Sequence, residues 1–326
     1  MKKFFKIVLI LVVLLVVFVT AFVQWKAYQI NNAPEDISYE VFSQEPTGDE
    51  TYINCPDGTK LRTISAGKGQ TIVLAHGFGG TLRDWNLVFN QLVKEGFRVI
   101  AFEQRGHNKS SVGKDGISST AMASDYKTVL EHFDVKDAVL VGHSMGGFLT
   151  VKFLLDYADV AKQRIHAALI MSSFAGDISR DNNQNKMQIP MIEKGYLQSI
   201  LGVKSLATLF GASLIGKPYK AIVQSSLDNT KLQNYNQLIP ILKAFVDENY
   251  YNRLNEITIP CTILVGSFDK TAPAFHSENL AKGIPKAQLL KIEGRGHLLN
   301  WEAPNEVCGF IKELLPKIEG SMIKLQ

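Results

Sequence analysis

Apolar residues run along this chain in distinct rhythms, and each rhythm predicts a different kind of element. From Phe4 to Val23 they follow one another almost without a break, behind Lys2, Lys3 and Lys6 and ahead of Trp25-Lys26. A soluble amphipathic helix keeps a polar face, and this segment has none. As a helix it is long enough to cross the roughly 30 Å hydrocarbon layer of a bilayer, with Trp25 at the depth of an interfacial aromatic. A cleaved signal peptide competes, because Val19-Thr20-Ala21 is an acceptable small-residue cleavage site. The apolar run continues past that site, which favours an anchor contacting the lipid bilayer through residues 4–23. Three lysines before the helix against one close behind it predict a cytoplasmic N-terminus and an extracytoplasmic remainder. Cleavage would instead release a secreted protein.

After an anchor over 1–27, residues 28–50 are polar, carry Pro34 and Pro46, and read as a stalk. Alternating runs around Tyr52-Ile53 and Leu61-Arg62-Thr63-Ile64 then flank Pro56-Asp57-Gly58, a hairpin signal. Next come short apolar strands separated by amphipathic helices. The strands are Thr71–Ala75, Arg98–Phe102, 138–141, 167–171, 262–265 and Gln288–Ile292; the helices cover 82–94, 121–133, 147–157 and 305–315. This alternation predicts an α/β fold with a mostly parallel sheet, flanked by helices and with strands buried on both faces. Over 177–256 the alternation stops. Helix-like pieces with many apolar residues, among them Met187, Leu197, Leu206, Phe210 and Leu214, read there as an inserted helical cap, leaving 51–176 and 257–326 as the core.

Composition narrows the class. The 326 residues are 46% hydrophobic and 20% charged, which excludes disordered and fibrous chains. A net charge of +4, spread along the folded part, makes no basic patch, so nucleic acid is not an expected partner. Cys55, Cys261 and Cys308 are too scattered for a disulfide framework or a metal knuckle. Cys261 and Cys308 sit in apolar runs and are expected to be buried; Cys55, in a turn, is expected to be exposed.

The chemistry concentrates in Val141-Gly142-His143-Ser144-Met145-Gly146-Gly147, where a buried strand turns directly into a helix. Such a turn is tight enough to need small residues at Gly142 and Gly146, and it lifts the Ser144 hydroxyl above the sheet edge as a nucleophile. A serine hydroxyl needs a base, and the base needs a carboxylate to orient it and to stabilise its charged form. Asp269 directly follows the strand 262–265, and His297 lies in a glycine-bearing loop after the next strand, both at loops leaving C-terminal strand ends. His132 and His166 precede a strand, His107 lies in a charged loop, His276 falls in a helix-like stretch, and His143 adjoins the nucleophile. None of these is placed to serve as the base. The oxyanion formed by attack needs preorganised N–H donors. The amide of Met145, opening the helix, and that of Phe78, in His76-Gly77-Phe78-Gly79-Gly80, are the candidates, with His76 a structural hydrogen-bonder.

From Thr51 to Leu315 the order and content of these motifs resemble the α/β-hydrolase family, in its serine esterase and monoacylglycerol lipase-like branch. His76-Gly77-Phe78-Gly79 is similar to the family's oxyanion loop, Gln104-Arg105-Gly106-His107 to its loop after the next strand, and Gly142–Gly147 to its nucleophile elbow. The resemblance implies catalytic Ser144, Asp269 and His297, with Asp177 as a reserve acid where some relatives carry theirs. It also implies acyl transfer to water without metal or organic cofactor, because the fold's dehalogenases and epoxide hydrolases carry Asp at the elbow. Glu103 stands where Asp is usual and Asn108 where Gly is usual, which bears on local loop shape. The expected substrate is a small ester or lipid with an apolar acyl group, monoacylglycerol-like by analogy. Hydrolysis of an amide, lactone or C–C bond by the same groups, and a membrane-tethered ligand-binding receptor, are the alternatives. The hydrolytic readings require Ser144, Asp269 and His297 to converge at one rim of the sheet.

Overall fold

In the computed structural model, which describes residues 1–34 and 37–316, the strands are β1 (Asp49–Asn54), β2 (Lys60–Ala66), β3 (Thr71–Ala75), β4 (Arg98–Phe102), β5 (Ala138–His143), β6 (Ile165–Met171), β7 (Cys261–Gly266) and β8 (Gln288–Ile292). They form one eight-stranded sheet in the order β1-β2-β4-β3-β5-β6-β7-β8. The β1–β2 hairpin enters antiparallel, β2 pairs antiparallel with β4, and every remaining pair is parallel. The helices of the N-terminal half are α1 (Lys2–Asn31), α2 (Tyr39–Ser43), α3 (Asn86–Lys94), α4 (Ser119–His132), α5 (Met145–Asp156) and α6 (Ala158–Arg164). Then follow α7 (Asn183–Glu193), α8 (Tyr196–Gly202), α9 (Lys204–Ala212), α10 (Lys220–Lys231), α11 (Tyr235–Asp247), α12 (Ala274–Gly283), α13 (Leu299–Glu302) and α14 (Pro304–Glu313).

Successive side chains of a strand point to opposite faces, and the core divides accordingly. Val73, Ile100, Leu140, Ala168 and Ile170 pack with residues of α4 and α5. Ile72, Leu74, Val99, Val141 and Leu169 pack with Trp85, Val88 and Phe89 on one side of the chain and Val307, Cys308 and Ile311 of α14 on the other. Apolar residues at both parities of β3 to β7 therefore fill two layers, which is why these strands read as continuous apolar runs. β8 departs from the expected burial on both faces: as the last strand it has one neighbour, and its residues are exposed or half-buried.

The helices α7 to α11 occupy the stretch between β6 and β7 where the alternation stops. The segment expected as a stalk is more structured than a tether. Helix α1 runs on to Asn31 and packs on α9, burying Ala27 and Ile30, with Asn31 Nδ2 donating to Thr208 Oγ1 at 3.4 Å. Phe42 of α2 is buried against Trp301, ring centroids 5.9 Å apart, and Tyr39 donates its hydroxyl to Asp228. Upstream of this contact α1 is apolar and exposed, long enough by length and composition to cross a membrane, as a signal sequence would also be.

Cys55, expected to be exposed, is buried. Its turn folds beneath the Arg105 ion-pair network, where Asp57 and Asp125 hold the guanidinium at 2.9 and 2.6 Å, and burial pushes the Cys55 thiol up to about 12. Cys261 and Cys308 are buried as expected. The Glu103 and Asn108 pair is mutually consistent: Asn108, at φ 44°, takes a left-handed conformation that Asn tolerates and donates Nδ2–H to Glu103 Oε1 at 2.6 Å.

Candidate active site

β5 ends at His143 and α5 begins at Met145, so Ser144 forms the entire turn, with φ 53° and ψ −116°. A non-glycine residue there carries strain of about 1–3 kcal/mol, held by its surroundings. The Ser144 amide donates to Met171 O at 2.9 Å, and its carbonyl accepts from Ser173 Oγ at 2.8 Å. A Cβ at Gly142 would lie 2.4 Å from Gly146 O, and one at Gly146 would lie 2.3 Å from Ala75 O. Both positions demand glycine because backbone passes where a side chain would stand.

His297 Nδ1 lies 2.8 Å from Asp269 Oδ2. The other oxygen of Asp269 accepts from the Thr271 and Ala272 amides at 2.9 and 2.8 Å, which orients the carboxylate toward the ring. Asp177 is occupied locally instead, accepting from the Ser179 amide and hydroxyl, and makes no hydrogen bond to His297. Ser144 and His297 line the same cavity, but among the described residues no hydrogen bond joins the Ser144 hydroxyl to the imidazole. Contacts of this kind commonly tighten only when substrate is bound.

The loop after β3 approaches the elbow closely: a Cβ at Gly77 would lie 3.1 Å from Ser144 Cβ. Among the described residues, neither the Phe78 nor the Met145 amide donates to a backbone carbonyl. Both are thus available to an anion, with Met145 at the positive end of α5. His76 braces this loop: fully buried, it accepts the Gln104 amide on Nε2 at 3.0 Å, and burial holds its pKa well below the ordinary imidazole value.

Two residues to which the sequence assigns no role hold the His297 loop in place. His143, kept neutral by burial with its pKa near 3, donates Nε2–H to the His297 carbonyl at 2.9 Å. Glu302 accepts the Gly296 amide at 3.0 Å and the Gly216 amide at 2.8 Å, tying the His297 loop to the segment between α9 and α10. Burial raises the pKa of Glu302 while those amides oppose the rise. His143 was passed over because adjacency to Ser144 precludes a role as base, while Glu302 lies in a helical run with no motif around it.

The cavity above Ser144 is mostly apolar, walled by Phe174, Ile189, Leu214, Phe245, Leu298 and Trp301. Among the described residues, no group of three or more His, Cys, Asp or Glu is arranged to hold a metal ion.

The family model for the alpha/beta hydrolase fold matches residues 70–304. A 2-hydroxy-6-oxononadienedioate/2-hydroxy-6-oxononatrienedioate hydrolase of Paraburkholderia phymatum is 30% identical, over 77% of this chain and 90% of its own. A non-heme haloperoxidase of Rhodococcus erythropolis is 26% identical, over 74% of this chain and 90% of its own. Among solved structures, an esterase from Exiguobacterium antarcticum superposes with a TM-score of 0.73 at 23% identity, covering 82% of this chain and 98% of that one, a likeness of fold. With the elbow, the strand order and a family match spanning most of the chain, this protein belongs to the α/β-hydrolase family.

Proposed function

We propose that this protein is a serine hydrolase of carboxylic esters, working through an acyl-enzyme. The carrying observation is Ser144, held at φ 53° between β5 and α5, on a cavity whose wall also holds His297 with Asp269 hydrogen-bonded behind it. Ser144 Oγ attacks the ester carbonyl carbon while His297 Nε2 takes the hydroxyl proton. Asp269 fixes the ring by accepting from Nδ1–H and stabilises the imidazolium. The amides of Phe78 and Met145 receive the oxyanion. His297 then passes its proton to the departing alcohol oxygen, the C–O bond breaks and the acyl group stays on Ser144. Water, deprotonated by His297, attacks that acyl ester, and the acid leaves as the Ser144 hydroxyl re-forms.

The apolar wall suits an acyl group, and the cavity of about 150 Å³ matches a small ring or short chain. Short acyl esters are therefore the first substrates to test. With α1 as an anchor packed on α9, the cap sits beside the bilayer and the hydrolase domain lies opposite the lysine-rich N-terminus.

Ser144→Ala is expected to abolish both p-nitrophenyl butyrate hydrolysis and fluorophosphonate labelling while leaving the far-UV circular dichroism unchanged. Full retained turnover overturns the proposal, and a wild-type protein that never labels favours a ligand-binding receptor. A second reading, hydrolysis of a C–C bond by the same groups, draws on the 30% identical relative of that name; a panel pairing simple esters with vinylogous 1,5-diketones separates the two.

A further inference from the structure

One polar group on the cavity wall has no part in that chemistry. Asp84, in the 3-10 turn Leu82–Trp85, is only 7% exposed yet lines the same cavity as Ser144 and His297. Its Oδ1 accepts from Asn229 Nδ2 at 2.5 Å, and Asn229 Oδ1 in turn accepts from Thr81 Oγ1 at 3.2 Å. Its main-chain carbonyl is held by Asn300 Nδ2 at 2.5 Å, so the residue is clamped from α10 and from α13. Oδ2 is different: among the described residues no side chain donates to it, and it lies beside Gly80, where a Cβ would stand 2.2 Å away. A carboxylate offers about four lone-pair sites, and with the Asn229 side chain and the Thr81 backbone amide donating to it this buried group can still take a further donor from the cavity.

The position of that oxygen relative to the reacting atoms follows from the loop. Gly80 N–H donates to Gly77 O at 3.1 Å, closing a β-turn whose ends lie within about 7 Å of each other. One end, Gly77, abuts Ser144; the other, Gly80, abuts Asp84 Oδ2. Ser144 and Asp84 therefore face one cavity from the two ends of this turn, so a substrate whose ester carbon sits on Ser144 can present to Asp84 an atom beyond the ester group. Ser226, Asn229 and Thr230 of α10 line the same cavity, giving a mostly apolar wall a polar contribution, with Asn229 in direct contact with Asp84.

We propose that Asp84 is a specificity determinant that accepts a hydrogen bond from a hydroxyl on the substrate, placed within a few bonds of the scissile ester. The substrate class is thus hydroxylated short esters, with the hydroxyl on the alcohol arm or on the acyl arm. The assignment rests on the ester-hydrolase function proposed above. Burial pushes the Asp84 carboxyl up to about 7, the mark of a desolvated group that gains from a donor.

The test, run well above pH 7 so that Asp84 is ionised and can only accept, compares esters matched in size that differ only in the ability to donate: 2-hydroxyethyl against 2-methoxyethyl butanoate, and ethyl 3-hydroxybutanoate against ethyl 3-methoxybutanoate. The wild type is expected to favour the hydroxyl member of at least one pair by about tenfold or more in kcat/KM, and the responding pair identifies the arm. In Asp84→Asn the amide oxygen keeps the Asn229 bond and NH2 turns to the cavity, so a hydroxyl and a methoxy oxygen are accepted alike and the ratio falls toward one. If that variant does not fold, Asp84→Ser, which withdraws the oxygen, is expected to give the same collapse. A wild-type ratio of one in both pairs overturns the proposal, as does a preference that survives in the variant. A wild type that neither labels with fluorophosphonate nor cleaves any of the esters overturns the hydrolase function itself, a distinct result.

Discussion

His297 Nδ1 and Asp269 Oδ2 stand 2.8 Å apart, while the second oxygen of Asp269 is pinned by two backbone amides. These bonds orient the carboxylate toward the ring. Asp269→Asn is expected to lower kcat by about 10⁴-fold, since the amide favours the wrong imidazole tautomer. Asp177→Asn, at a residue bonded only within its own turn, should change kcat less than severalfold. Steady-state ester hydrolysis by both variants decides, and a larger loss at Asp177 would reverse the assignment.

Glycines of the elbow and of the facing loop should respond differently to a methyl group. At Gly146 the added Cβ meets the Ala75 carbonyl at 2.3 Å, backbone that cannot yield without distorting β3. Gly146→Ala is therefore expected to destabilise by several kcal/mol, about 3 or more, read by urea denaturation. At Gly77 the nearest atoms are side chains, His143 Nδ1 and Ser144 Cβ, both at 3.1 Å. Gly77→Ala should fold with little loss, yet lower kcat by about a hundredfold by moving the Phe78 amide off the oxyanion.

The Asp84 carboxyl also ties stability to pH. Its pKa rises on folding from 3.8 to about 7, chiefly through burial, so the native state binds the extra proton. Stability is fully present below the unfolded value and is lost as pH climbs from about 4 to 7, then levels off. Asp84→Asn removes this slope. The wild type should lose up to about 4 kcal/mol relative to the variant between pH 4 and pH 8. Paired denaturant titrations at several pH values measure it, and parallel curves for the two proteins would refute the shift.

Membrane attachment and folding should separate along the N-terminal segment. Removal of residues 1–26 takes the exposed apolar part of α1 and leaves Ile30 and Phe42 in place, so the protein is expected to move from the membrane pellet to the supernatant with its fold intact. Phe42→Ala in the full chain should instead stay with the membrane and cost about 3–5 kcal/mol, because Phe42 packs on Trp301 of the cavity wall. An undiminished denaturation midpoint would show that this contact adds nothing.

Much of the molecule was legible from local pattern. Strands such as Thr71–Ala75 and the helix that opens after Ser144 are written in runs of a few residues, because periodicity and backbone hydrogen bonding act over that range. The elbow was legible for the same reason: glycines at 142 and 146 are demanded by a clash within one turn and its neighbouring strand. Asp269 and His297 followed from their positions after strands.

The sequence by itself thus determined the order of elements, the family motifs and three candidate residues for acyl transfer. Tertiary structure decided which acid meets the imidazole, Asp269 over Asp177, and that His143 and Glu302 hold the His297 loop. It also made β8 an exposed edge, buried Cys55, docked Phe42 where a free stalk was expected, and set Asp84 on the cavity wall. The physical reason is range. A strand or a turn is specified by residues a few positions apart, whereas a burial or a hydrogen bond between residues 145 positions apart, as for Asp84 and Asn229, exists only once every intervening element has packed.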